Sequence, residues 1–428
     1  TVDPEAGDVN TRINALVDLD DRAQALLRIT FPINQAIIVV SLVVYLVFAA
    51  VAIPVARRRR ADHLSPAVPW SFQRALRTAS LVMASFPVST YLVNVLPWWR
   101  LAGDPATGTA TAVMLLASLL LASAIAATAL LLPWARQVYR PVSLVAGGTV
   151  VVMAVDVVTG SHLQFASALG LSPIAAGRFY GFGNVAFSVY ATCSVFLGVA
   201  VCKRWVDAGR RTTASVVIGL FGLLVALIDG WPTFGADFGG MIALVVGFGV
   251  FALLISPAGL SWRRLVLIAF AGVAFTALVS FADYLRPEES RTHLGDFMAS
   301  LFAGDAGATV GRKLNASLNS FTFSAVAPLI PVVFLLCLWL VLQPARFKVT
   351  ALVESYRAIS TLRAGLISGL VIAGVGCLVN DSGVIVTATM LGVGVPLAVA
   401  AATDPRRTTP SPATPAQSTE PPSRSVSP

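Results

Sequence analysis

The sequence predicts an all-α fold, a polytopic bundle of about eleven transmembrane helices. Of its 428 residues, 56% are hydrophobic and 12% charged, half the roughly 25% charge of an ordinary soluble domain. Apolar runs recur at the ~17–25-residue length that crosses a bilayer core. Lys and Arg gather in alternate connections between those runs, as they do in cytoplasmic loops. The net charge of +9 therefore reads as orienting charge, and no nucleic-acid partner is expected.

The elements follow in order. Residues 1–33 are acidic, with Ile13, Leu16, Val17, Leu26 and Leu27 at roughly helical spacing. They read as an extracytoplasmic surface helix or as the end of a preceding soluble domain, with a solvated tail as the alternative. The chain opens without Met or a signal peptide, as a fragment or processed product would. Spans are expected at 34–55, 78–97, 110–134, 141–159, 184–202, 213–229, 238–256, 265–283, 323–343, 365–380 and 384–402. The last pair also admits a re-entrant hairpin. Arg57 to Arg60 directly follow the first span, which puts that end in the cytoplasm and the N-terminus outside. Counting on, the inner connections hold most of the 30 basic residues, the outer segments hold most of the 21 acids, and the C-terminus is cytoplasmic.

Residues 284–322 form a long outer loop in which His293 to Phe302 has the spacing of a surface helix. Residues 344–364 form an inner loop. Residues 403–428, rich in Pro, Ser and Thr, read as a disordered tail after a membrane domain at 34–402. Cys193, Cys202, Cys337 and Cys377 lack paired spacing, so neither a zinc site nor a disulfide framework is expected. Trp98, Trp99, Trp134, Trp205 and Trp262 sit at span ends and read as interfacial anchors.

Polar residues collect at the outer ends of the spans. Asp156 lies near the end of the fourth. Arg178, Tyr180 and Asn184 open the fifth, in a stretch with glycines at 177, 181 and 183. Asp229 ends the sixth span, Asp237 opens the seventh and Asp283 ends the eighth, while Asn380 and Asp381 join the last two. Ionisable residues in or beside spans are costly and usually face a cavity or a partner. Asp229, Asp237 and Asp156 are the candidate catalytic acids. Arg178, Tyr180, Asn184, Asn380 and Asp381 are the candidate substrate-binding residues. Carboxylates with an arginine can bind phosphate through a divalent cation, and a carboxylate in a dry cleft can act as a general base. Gly-rich turns at helix starts can present N–H groups to an anion. No metal ligand is assigned, since His63, His162 and His293 stand alone.

Plainer readings stand beside these. Arg178 can pair with Asp229 or Asp237 simply to join two hairpins. Asp229-Gly230 and Asn380-Asp381-Ser382-Gly383 are ordinary turn sequences. Asp156 can serve as a structural partner of a neighbouring helix.

Three motifs carry a resemblance: Asp156-x-x-Thr159-Gly160-Ser161-x-Leu163-Gln164; Leu171-Ser172-Pro173-Ile174-Ala175-Ala176-Gly177-Arg178-Phe179-Tyr180-Gly181-Phe182-Gly183-Asn184; and Asp229-Gly230-x-Pro232-x-x-Gly235-Ala236-Asp237-x-Gly239-Gly240. Across roughly 140–385 the chain resembles a group of bacterial, mainly actinobacterial, multi-pass membrane proteins. Some members carry, ahead of their spans, an extracytoplasmic domain similar to the alkaline phosphatase superfamily. The resemblance implies that residues 1–33 end such a domain; it brings no activity with it.

The expectation is a multi-pass plasma-membrane protein of the cell envelope, with membrane lipids around it and a lipid-linked or phosphorylated substrate at its outer face. A transporter or flippase is the second reading, since Gly-interrupted helices in paired hairpins point to transport sites. A membrane anchor or scaffold is the third.

Overall fold

In a bilayer an apolar stretch must satisfy its own backbone hydrogen bonds, which a helix does. Every long element among the described residues is helical. The computed structural model describes residues 8–30, 32–33, 70–101, 107–132, 139–172, 180–304, 317–322 and 327–404, with single positions at 43, 46, 307, 311 and 315. The expected first span apart from 43 and 46, the Arg57–Arg60 cluster, Trp134, Arg178 and residues 405–428 lie outside these.

The helices are α1 (9–30), α2 (Trp70–Leu92), α3 (Thr107–Leu131), α4 (Arg140–Val158), α5 (Asn184–Asp207), α6 (Arg211–Gly230) and α7 (Phe238–Ile255), followed by α8 (Trp262–Tyr284), α9 (His293–Phe302), α10 (Leu329–Leu342), α11 (Thr350–Ala358), α12 (Leu362–Val379) and α13 (Gly383–Ala402). Among the described residues nine are long and apolar enough to cross a membrane: α2 to α8, α12 and α13. Both members of the last pair have this length. Helix α10 has 14 residues, about 21 Å at 1.5 Å per residue, where the sequence predicts a longer span over 323–343. The expected inner loop 344–364 contains α11.

Helix α5 is the centre of the bundle, with 78% of its apolar window buried against 22% for α8 at the periphery. Small residues let the helices around it approach closely. A Cβ on Gly198 of α5 would lie 2.7 Å from Ile218 of α6, and one on Gly222 of α6 would lie 2.3 Å from Phe248 of α7. A Cβ on Gly247 of α7 would lie 2.1 Å from Ile372 of α12, and one on Gly365 of α12 would lie 2.3 Å from Val199 of α5. These contacts close a ring of four helices.

A second core forms where α1 docks. Leu26, Ile29 and Ile33 pack with Val93, Trp98, Met114, Ala166 and Ala168. Arg22 Nη2 donates to the Phe165 carbonyl at 2.9 Å, and Asp18 accepts from Trp99 Nε1 at 3.0 Å and from Arg100 Nε at 2.6 Å. Ile13, Leu16, Val17 and Leu27, the apolar set legible in the sequence, stay exposed apart from Leu26. Trp98 is not an interfacial anchor: it is 1% exposed, and its indole N–H donates to Asn94 Oδ1 at 3.0 Å. Helix α9 appears where its spacing predicts, but it packs on protein, burying Leu294 and Met298 and setting Phe297 against Phe238 at 5.2 Å.

The two ends of the bundle differ chemically. One carries Lys203, Arg204, Arg210, Arg211, Arg263, Arg264, Arg346 and Arg363. There Arg77 pairs with buried Asp404 at 2.7 Å, tying α2 to the end of α13. Lys203 pairs with Asp207, which also accepts from Ser360 Oγ at 2.6 Å. The other end holds the Asp- and Asn-bearing turns.

Candidate functional site

The site is built on the turn between α6 and α7. The N–H of Asp237 donates to the Asp229 carbonyl at 3.0 Å, and the N–H of Gly235 donates to the Ile228 carbonyl at 3.1 Å, so the chain doubles back on the end of α6. Asp237 then caps α7: its Oδ1 accepts from the N–H groups of Gly239 and Gly240, both at 3.1 Å. An aspartate here satisfies donors that a helix start leaves open and complements the positive end of the helix dipole. The N–H groups that the sequence reading offers to an external anion are thus taken by the chain's own carboxylate.

Gly240 explains the glycine pair. A Cβ there would lie 2.5 Å from Asp229 Oδ2, 2.7 Å from Asp237 Oδ2 and 2.7 Å from Phe187 Cδ2. Two carboxylates and an aromatic edge therefore converge on one methyl-sized space. Beside it, a Cβ on Gly239 would lie 2.6 Å from Asn380 Oδ1. Asp229, Asp237 and Asn380 are all buried.

The other turns brace this one. Phe182 N–H donates to the Gly235 carbonyl at 2.8 Å, and Tyr180 Oη donates to the Pro232 carbonyl at 3.0 Å. Gly181 has φ of 86°, and a Cβ there would sit 2.4 Å from the Gly235 oxygen, so glycine is required for both shape and space. Asn184, at the start of α5, donates from Nδ2 to Asp381 Oδ1 at 2.9 Å, on the exposed side of the cluster.

Six of the eight predicted site residues thus belong to one assembly: Tyr180, Asn184, Asp229, Asp237, Asn380 and Asp381. Asp156 stands apart. Its carboxylate accepts from Leu163 N–H at 2.7 Å, Gln164 N–H at 3.2 Å and Gln164 Nε2 at 3.0 Å, which shapes its own loop. That loop touches the assembly through Ser161 Oγ, which accepts from Gly181 N–H at 2.8 Å. Arg178 lies outside the described residues. Asp283 closes the corner between α8 and α9, accepting from Thr292 N–H at 2.9 Å, Thr292 Oγ1 at 2.7 Å, Gly295 N–H at 2.8 Å and Arg286 Nη1 at 3.0 Å.

Two residues escape the sequence reading. Tyr190 and Ser194, one turn apart on α5, are fully buried, and their hydroxyls have no hydrogen-bond partner among the described residues. Tyr190 stacks on Phe182 with centroids 4.9 Å apart. The available signal was the polar set Ser188, Tyr190, Thr192 and Ser194 inside the span that proves to be central.

Among the described residues no group of three or more His, Cys, Asp or Glu side chains is arranged to hold a metal ion. The donors at the cluster are two carboxylates and an amide oxygen, the oxygen type that hard cations take.

Fold and composition together define a multi-pass α-helical membrane protein with an acid- and amide-lined cluster at one end of its bundle. No family model matches the chain, and neither does any curated protein or solved structure.

Proposed function

We propose that this is a cell-envelope protein of the plasma membrane, with its N-terminus outside and its C-terminus in the cytoplasm. Its Asp/Asn cluster faces outward and acts on a phosphorylated or lipid-linked substrate, as an enzyme or enzyme module. The bacterial group it resembles fits this setting. The observation that carries the reading is the meeting of Asp229 and Asp237 at Gly240. Two buried carboxylates that converge on one point call for positive charge beside them, from a bound cation or from a basic side chain such as Arg178. A carboxylate in a dry cleft can act as a general base. One holding a cation is poised to receive phosphate oxygens. Asn184, Asn380 and Asp381 would then orient the polar head of the substrate, while Tyr180 and Asp156 hold the turns in place.

The test is lipid and cell-wall analysis of cells carrying Asp237→Asn at normal protein abundance. Accumulation of a lipid-linked or phosphorylated precursor is expected. A wild-type profile would overturn the reading and leave an anchor or scaffold.

Transport is the second reading, favoured by one observation: Ser194, well inside α5, carries a buried hydroxyl with no hydrogen-bond partner among the described residues. Labelling the accumulated precursor by leaflet separates the two. A flippase variant traps it on the cytoplasmic side, and an enzyme variant leaves it outside.

A further inference from the structure

Beside the polar cluster, α10, α12 and α13 enclose a groove of 510 Å³ lined by Phe321, Ile330, Phe334, Leu338, Val371, Leu378 and their neighbours. Among the described residues, its only non-hydrocarbon side chains are Thr387 and Cys377. The Thr387 hydroxyl is turned away, donating to the Ala373 carbonyl at 3.1 Å. Buried Leu370, Val384 and Thr387 form the deep wall, and Leu378 at the rim is 79% exposed. The absence of a side chain on Gly374 keeps the groove open, with Phe334 Cζ 3.4 Å from where its Cβ would be.

Position and size set its occupant. From Leu370 to Leu378 the groove follows α12 for about 12 Å, within the apolar depth of the bundle and only on the half nearest the polar cluster. Its end, at Cys377, Leu378 and Val384, flanks the Asn380–Asp381 turn that meets Gly239 and Asn184. At 510 Å³ it is small enough to seat part of one hydrocarbon chain, the rest running on into the bilayer. We propose that this groove seats a single hydrocarbon tail of the lipid-linked substrate, with the head at the Asn380–Asp381 turn. This rests on the reading above and adds to it the class of substrate, a lipid whose chain stays in the membrane while its head is handled.

The experiment uses the full chain in phosphatidylglycerol vesicles containing a trace of polyprenyl phosphate with a diazirine on its chain. After photolysis, adducts are mapped by mass spectrometry. Labelling over 330–338 and 370–378 is expected to exceed that of lipid-facing Val266 and Phe270 on α8 by about tenfold, which corresponds to about 1.4 kcal/mol of preference for the groove. Gly374→Trp should abolish the excess and leave the α8 signal unchanged. Equal labelling of groove and α8, in a chain with unaltered thermal unfolding, would overturn the proposal and make the groove ordinary lipid-facing surface. So would an excess that Gly374→Trp leaves intact. The functional reading fails separately, since Asp237→Asn without a precursor would sink it even if the groove is labelled as predicted.

Discussion

At Gly240 the space for one methyl group is already filled by Asp229, Asp237 and Phe187. Gly240→Ala should therefore destabilise the protein by about 1–3 kcal/mol, the usual cost of overpacking, read as thermal unfolding in detergent. Gly148 on α4 meets nothing within 4 Å, so Gly148→Ala should be neutral or stabilising by about 0.5–1 kcal/mol. Asp237 separates capping from chemistry. Asn caps a helix as well as Asp does, whereas Ala costs about 1 kcal/mol. Asp237→Asn should thus unfold near the wild-type temperature while losing function, and Asp237→Ala should lose both. Equal instability of the two variants would show that charge at Asp237 holds the fold. At this scale the sequence made Asp229, Asp237, Asn184, Asn380 and Asp381 visible, because charge and amides at span ends are conspicuous. It could not show that Asp156 is consumed by its own loop, since that depends on a local backbone path. Nor could it show that Gly239 and Gly240 make room for side chains arriving from α5, α6 and α12.

Among the elements, α1 is held by polar contacts that can be titrated. The hydrogen bond from Arg100 holds the Asp18 carboxyl below its ordinary range, helped by Trp99 and opposed by partial burial. A carboxyl with a lowered pKa contributes docking free energy that is complete above its ordinary value of about 3.9 and is lost as pH falls through the docked value. Docking of α1 should therefore be constant near neutrality and weaken only in acid, below the ordinary carboxylate range. Hydrogen exchange of 18–30 against pH measures it. The effect should be small and salt-sensitive, because the Arg100 side chain is 62% exposed. Loosening near pH 7 would contradict this assignment. Apolar length was enough to place the helices α2 to α8, along with α12 and α13, each long and apolar enough to cross a membrane. It overestimated α10, where Pro328 precedes the helix and Pro331 falls in its first turn. It also misplaced Trp98, because hydropathy gives a tryptophan's position along a span and not whether another helix covers it.

For the whole molecule, the informative feature is the contrast between the two ends. Three helix-joining turns bring acids and amides together at one end. Basic residues and the Arg77–Asp404 pair occupy the other. The alternation of Lys and Arg made this contrast legible in the sequence, and close glycine packing around α5 holds the ends in register. Packing is a property of the assembled bundle, so the central place of α5 and its buried Tyr190 and Ser194 could not be read from one span at a time. The central claim is that the polar end faces outward. It is tested most directly by single cysteines in a chain with Cys337→Ala and Cys377→Ala, treated with a membrane-impermeant maleimide on intact cells. The account predicts that Glu288→Cys and Asp381→Cys are labelled in intact cells, and Arg357→Cys only after permeabilisation. Labelling of Arg357→Cys from outside, with Glu288→Cys protected, would place the cluster in the cytoplasm and contradict the envelope function proposed for it.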